Sequence, residues 1–321
     1  MSAAPHERWA FHQGEFVRAG DIRLGVGTQG LHYGTGVFEG IRAYAAAEGG
    51  DSLLFKAREH YERLHASCRL LRLDLPFGPA ELVEVTRELI LRNRLLGDVY
   101  VRPVVYKQAL EPGTPFGVRL SGVSTAVSIV TLPMGDYGKA GGIRCGVSSW
   151  RRVPDASLPA RGKITGAYAN NALAVEEATA AGYDDAIMLN QRGTVAEAST
   201  ANVFVVGSGS VSTPGPDSDI LPGLTRAAVI RLLADQAELT VVERTVQRSE
   251  LHLADEVFLT GTGCQIVPVT EIDGRPVGDG TPGPVTTLVR EAYQRAARGA
   301  DPVHRHWNTP VGFPVRTAAR G

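Results

Sequence analysis

Two ionisable residues, Lys163 and Glu197, stand where an amine and a carboxylate could serve one reaction centre. Lys163 lies within R-G-K-I-T-G-A-Y-A-N-N (161–171), between Gly162 and a helix expected over 165–181. Its amine then leaves a strand-to-helix corner rather than a solvated helix face, and such a corner can hold a lysine for Schiff-base chemistry. The helix is expected to end at Gly182. An apolar strand at 186–189 follows, N-Q-R-G turns the chain, and Glu197 arrives on the return strand within T-V-A-E-A-S-T-A-N-V-F (194–204). A hairpin of this length can bring carboxylate and amine together. Taken singly, the two residues read more readily as a surface lysine and a strand-end glutamate; the ordered motifs around them weaken that reading.

K-x-x-G-x-Y followed by E-x-S-x-x-N-x-F resembles the signature of fold-type IV pyridoxal-phosphate enzymes, the branched-chain amino acid aminotransferase group. The resemblance runs over about residues 8 to 310 and carries definite expectations. The fold is α+β (mixed α/β) in two domains: a small N-terminal α/β domain at 1–132, an interdomain loop at 133–142, and a larger C-terminal domain at 143–321 that anchors pyridoxal 5'-phosphate, with the cofactor in the cleft between them. Lys163 carries the cofactor as a Schiff base and moves the substrate Cα proton, Glu197 hydrogen-bonds the protonated pyridine nitrogen, and Tyr168 lies near the phenolic oxygen. The implied reaction is transamination between an L-amino acid, branched-chain in type, and 2-oxoglutarate.

Further residues take roles through the same resemblance. In L-H-Y-G-T-G-V-F-E-G-I-R-A-Y (31–44), read as a glycine-rich strand, Tyr33 and Phe38 wall the substrate pocket, the tyrosine from across a dimer interface. Arg63, in R-E-H-x-x-R-L-H, binds the cofactor phosphate, for which a guanidinium offers a fixed fork of donors. In Y-V-R-P (100–103), strand alternation puts Tyr100 and Arg102 on one face; the resemblance gives the tyrosine a part in holding the α-carboxylate and the arginine the distal carboxylate of glutamate. Tyr137 matches a tyrosine of the loop over the substrate. Leu224 and Thr225 open a helix whose N-terminus suits a phosphate. Thr262, in T-G-T-G, touches phosphate, and the amides of Thr262 and Gly263 the substrate carboxylate. The stretch 107–117 and Met134 depart from the family pattern.

The elements that must hold these residues are legible in part. A hairpin turning at Gln13-Gly14, helices over 58–73 and 79–96, strands over 99–106, 125–132 and 143–150, a polar loop over 207–219, a strand over 255–260, an Asp273-Gly274 turn and a last helix over 284–298 are expected, with a loosely ordered tail over 304–321. The helix over 58–73 carries Tyr61, Leu64, Cys68 and Leu71 as its apolar stripe, with Arg63 off it.

The chain has 321 residues, 43% hydrophobic and 21% charged, enough for about two domains with a sizeable core. Lys+Arg 33 against Asp+Glu 34 leaves a net charge of −1, which gives no footprint for nucleic acid or an anionic membrane. Small amino acids and 2-oxo acids are the expected partners, together with a second copy of the chain. The opening residues lack a signal-peptide core and no run suits a membrane span, so the cytoplasm is expected. Cys68, Cys145 and Cys264 are far apart, and the eight histidines, read as surface or packing residues, form no metal pattern, so no metal is expected. Two other readings stay open: a D-amino acid or amine transaminase or aminodeoxychorismate-type lyase on the same fold, and a non-catalytic binding protein that kept it.

Overall fold

Gln13 and Gly14 take φ of 51° and 95°, the left-handed pair that a two-residue hairpin requires. They join β1 (Trp9–His12) to β2 (Glu15–Arg18). The computed structural model describes residues 4–135, 141–237 and 239–313. Its chain forms two units, the first made of Met1–Gly135, Gly162–Gly166 and Arg295–Gly321, the second of Asp136–Arg161 and Ala167–Gln294.

In the first unit the glycine-rich run 31–44 is not one strand. A short helix, α1 (Gln29–Tyr33), stops at Gly34, whose φ of 64° is the left-handed cap that ends a helix; β3 (Gly36–Phe38) and β4 (Ile41–Ala45) follow. Next come β5 (Ser52–Phe55), α2 (Ala57–Leu70), α3 (Pro79–Arg92), β6 (Val99–Leu110) and β7 (Val123–Pro133). β6 runs past its expected end because Lys107 is buried and donates from Nζ to the Val123 carbonyl at 3.1 Å. The first four residues of the stretch 107–117 are therefore ladder.

Helix α2 buries Tyr61, Leu64 and Cys68, each large apolar side chain contributing about 1.5–3 kcal/mol. It packs on α3, where Tyr61 and Thr86 share a short hydroxyl–hydroxyl hydrogen bond. Burial pushes the Tyr61 phenol up and the Cys68 thiol up to about 12, so both act as packing groups.

The tail corrects an expectation. β17 (Asn308–Pro310), the last strand, pairs with β5, and the Asp51 carboxylate accepts the Gly312 and Phe313 amides. Order thus reaches residue 313, and 314–321 lie outside the described residues. Among the described residues the sheet has eight strands in the order β17-β5-β4-β6-β7-β1-β2, with β3 on β6.

The second unit begins with β8 (Ile143–Arg151), continues through α4 (Tyr168–Ala180), β9 (Asp185–Leu189), β10 (Val195–Ala198), β11 (Asn202–Gly207) and β12 (Ser210–Pro214), and then α5 (Leu224–Ala237) and β13 (Val241–Arg244). It closes with β14 (Glu256–Gly261), β15 (Gln265–Ile272), β16 (Arg275–Pro276) and most of α6 (Pro284–Ala297). The sheet order is β10-β9-β8-β15-β14-β11-β12-β13, with β16 on β15.

Part of the expected loop at 207–219 is a hairpin, β11 to β12, turning at Ser208 and Gly209. Asp273 and Gly274, at φ 52° and 74°, turn β15 into β16 as the sequence predicts. Phe204 and Phe258 stack at 4.9 Å between centroids across the β11–β14 pair. Among the described residues no helix is long and apolar enough to cross a membrane.

The units differ from the expected division in two places. The tail from Arg295 belongs with the N-terminal strands, because β17 completes their sheet. The segment Gly162–Gly166, with the lysine, belongs there too.

Candidate active site

The lysine segment behaves as a short added strand of the first unit. Ile164 bridges Val37, the Phe38 N–H donates to the Lys163 carbonyl at 3.0 Å, and the Lys163 N–H donates to Ser67 Oγ at 3.1 Å. Thr165 Oγ1 donates to the carbonyls of Gly34 and Gly36, and the Gly166 N–H also reaches Gly34. A Cβ on Gly34 would stand 2.6 Å from Gly166 Cα, so glycine there permits the backbones to meet. The main chain of Lys163 is thus fixed on both sides. Its Nζ lies 4.9 Å from the centre of the Phe38 ring.

Phe38 also carries a second cation. The Arg102 guanidinium carbon is 4.7 Å from the Phe38 centroid, and Arg102 Nη2 donates to the Tyr100 hydroxyl at 2.6 Å. The alternation of β6 accounts for this: Tyr100 and Arg102 share a face, as the sequence predicts, and Phe38 sits opposite Val104 in the same register. A Cβ on Gly40 would lie 2.3 Å from the Tyr100 hydroxyl, so glycine makes room for the phenol. Lys163, Phe38, Arg102 and Tyr100 are therefore brought together. Tyr33 closes α1 and is 37% exposed, with its ring 6.4 Å from that of the exposed Phe116. Arg63 forms a two-point ion pair with Glu39, Nε to Oε1 at 2.7 Å and Nη2 to Oε2 at 2.9 Å.

In the second unit Glu197 is buried on β10 as expected, and its carboxylate is held from several sides. Arg152 Nε donates to Oε1 at 2.7 Å; Asn202 Nδ2 and the Leu221 N–H both donate to Oε2 at 3.1 Å. Arg152 follows the long strand β8, and Asn202 opens β11, so three strands converge on one anion. Asn202 also donates to the Leu221 carbonyl, and a Cβ on Gly223 would stand 2.0 Å from Asn202 Oδ1.

The Leu221–Gly223 approach to α5 is fixed by that same asparagine. Leu224 and Thr225 are the first residues of α5; its first bond across the turn is Ala227 N–H to the Gly223 carbonyl, so the amides of the opening turn face outward from the helix end. Tyr168 opens α4. Thr262 and Gly263 lie in the turn from β14 to β15, just after Thr260, whose buried Oγ1 has no hydrogen-bond partner among the described residues. Tyr137 lies outside the described residues.

Reading the sequence alone misses Glu39, His60, Ser67 and Arg152. His60, Arg63 and Ser67 recur at helical spacing, a signal hidden by the apolar stripe beside it. Arg152 has no local signal, since its partner Glu197 is 45 positions away.

The chain is similar to known proteins over most of its length. The family model for amino-transferase class IV matches residues 36–272. A protein of Aquifex aeolicus named as a probable branched-chain-amino-acid aminotransferase is 44% identical over 304 residues, which is 94% of this chain and 96% of the relative. A branched-chain aminotransferase from Thermoproteus uzoniensis, solved with norvaline, superposes with a TM-score of 0.89 at 39% identity, covering 95% of this chain and 99% of that one. A T.th. branched-chain amino acid aminotransferase complexed with N-(5'-phosphopyridoxyl)-L-glutamate gives 0.89 at 38% identity with the same coverages. A family model spanning most of the sequence, with relatives this similar from end to end, establishes that the chain belongs to the class IV aminotransferases.

Proposed function

We propose that the chain catalyses pyridoxal-phosphate-dependent transamination between a branched-chain L-amino acid and 2-oxoglutarate. The observation that carries this reading is the pair of cations over Phe38: a lysine amine for the chemistry and an arginine for a second carboxylate, both against one apolar ring. The names of the relatives support it, as does the phosphopyridoxyl-glutamate ligand of one of them.

The residues present fit that cofactor. A buried carboxylate paired with Arg152 at 2.7 Å suits a protonated pyridine nitrogen, the start of α5 suits a phosphate, and the orphaned Thr260 hydroxyl leaves a donor beside the second phosphate turn. Lys163 would hold the cofactor covalently. Glu197 would pair with the ring nitrogen, Tyr168 would lie by the phenolic oxygen, and Arg63, Leu224, Thr225 and Thr262 would hold the phosphate. When bound, pyridoxal phosphate supplies an electron sink for the charge left at the substrate Cα.

Lys163 Nζ would take the proton from the substrate Cα as a general base and give it up again as a general acid. Phe38 keeps water from that amine, and with Tyr33 gives an aliphatic side chain an apolar wall. Tyr100, Tyr137 and the amides of Thr262 and Gly263 orient the substrate. Arg102 receives the distal carboxylate of glutamate or 2-oxoglutarate through charge-assisted hydrogen bonds.

Arg102→Ala therefore weakens the glutamate half-reaction by roughly 2–3 kcal/mol, about 30- to 150-fold, and leaves the leucine half-reaction nearly intact. Single-turnover rates with each amino acid separate the two, and equal losses would make Arg102 structural. The active species is proposed to be a cytoplasmic homodimer or a higher homo-oligomer, with Tyr33 completing the partner's pocket. The exposed Leu24, Val26, Leu31, Phe116 and Val118 near Tyr33 along the chain or in space give that interface an apolar surface. Light scattering is expected to give at least a dimer, and a fully active monomer would refute this.

A further inference from the structure

Helix α2 carries a polar stripe beside its apolar one. His60, Arg63 and Ser67 recur at three- and four-residue spacing, which places them on one face. That face meets the end of β3 and the lysine segment. Ser67 holds the Lys163 amide, while Glu39, the residue after Phe38, receives the other two.

The Glu39 carboxylate is fully buried and takes two bonds from Arg63 and one from His60 Nδ1, the last at 2.7 Å to Oε2. Burial alone pushes Glu39 up, but the Arg63 charge and the hydrogen bonds from Arg63 and His60 hold it far below the usual carboxylate range. Burial also pushes His60 down, against the pull of Glu39. The ring is then neutral and must donate from Nδ1, because a carboxylate offers only lone pairs.

We propose that Glu39 and His60 are positioning residues that fix the angle of the Arg63 guanidinium for an incoming phosphate monoester. The inference rests on the pyridoxal-phosphate reading of the site. An arginine side chain has several rotatable bonds, and ordering them during binding weakens affinity. The two-point pair with Glu39 settles the guanidinium plane when the protein folds, and His60 in turn locks the carboxylate that does it. Arg63 is 12% exposed while Glu39 is wholly covered, so the cation faces outward from a rigid backing.

Calorimetry of the full-length apoprotein with inorganic phosphate and with pyridoxal phosphate tests this. Glu39→Gln is expected to weaken both by about 10- to 100-fold, the usual effect of removing a group that orients a ligand-holding residue. In an Arg63→Met background the same change should have no further effect, because Glu39 acts only through Arg63. His60→Asn, which keeps a donor in place of Nδ1, should bind close to wild type, and His60→Leu should bind more weakly.

Unchanged phosphate affinity in Glu39→Gln, or losses that add in full to those of Arg63→Met, would overturn the proposal. Should Glu39→Gln fail to fold, equal affinities in His60→Asn and His60→Leu would overturn it instead. A wild-type protein that binds neither phosphate nor pyridoxal phosphate would remove the cofactor reading, and this inference with it.

Discussion

Lys163→Ala is expected to lose the covalent link to the cofactor and essentially all turnover while the protein still folds. The folding half of this expectation follows from the main chain: the bond to Ser67 Oγ, the bond from the Phe38 N–H and the Ile164–Val37 bridge use backbone atoms of the segment that alanine retains. Thr165 and Gly166 keep their hold on Gly34 as well. What disappears is the amine over Phe38, and with it both the attachment point and the group that moves the Cα proton. Positioned proton transfer alone is worth about 10²–10⁴-fold. Intact mass after borohydride reduction checks it: the wild type gains one reduced cofactor, the variant none, and the two melt within a few degrees of each other. A reduced adduct at another lysine of the variant would show that the assignment is wrong.

Glu197→Gln is expected to bind the cofactor yet slow transamination by orders of magnitude. A neutral amide cannot stabilise the pyridinium as a carboxylate does. The surroundings make the change harsher than its shape suggests. Oε1 faces the Arg152 donor and Oε2 faces two more, Asn202 Nδ2 and the Leu221 N–H, so the new NH₂ group meets a donor whichever way it turns. Arg152, buried beside it, also loses its anion, and breaking a buried pair in this way costs on the order of 3 kcal/mol of stability. Thermal melting of the apoprotein should fall accordingly, and turnover at full cofactor occupancy should collapse. Near-normal rates with a saturated site would remove Glu197 from this role.

The parts of the molecule legible in the sequence are those with a local cause. Gln13-Gly14 and Asp273-Gly274 must turn because their backbones can take the left-handed region, and α5 begins at Leu224 directly after Pro222-Gly223. Tyr100 and Arg102 share a face because strands alternate. The β9–β10 hairpin delivers Glu197 where the N-Q-R-G turn implies.

What escaped has a distant cause. Glu39 meets His60 and Arg63 across 21 and 24 positions, and no periodicity announces a buried carboxylate before its partners are in place. The assignment of the lysine segment to the first unit rests on a single bridge and a few hydrogen bonds to β3, too few residues to leave a pattern. The three-residue strand β17 could not be read from the tail either, since it exists only through pairing with β5. In the run 31–44, Gly34 acts as a helix cap, a role that looks the same in sequence as a glycine within a strand.

Stopped-flow absorbance of the wild-type holoenzyme with one substrate at a time tests transamination most directly. L-leucine, L-valine or L-isoleucine alone should discharge the visible absorption of the lysine-linked cofactor in a single turnover and release the matching 2-oxo acid, and 2-oxoglutarate added afterward should restore the absorption and yield L-glutamate. Absence of any change with all three amino acids, while another amino acid or a D-enantiomer drives the full cycle, would contradict the branched-chain assignment and point to the atypical 107–117 stretch. A holoenzyme with no visible absorption that borohydride abolishes would contradict the cofactor chemistry altogether.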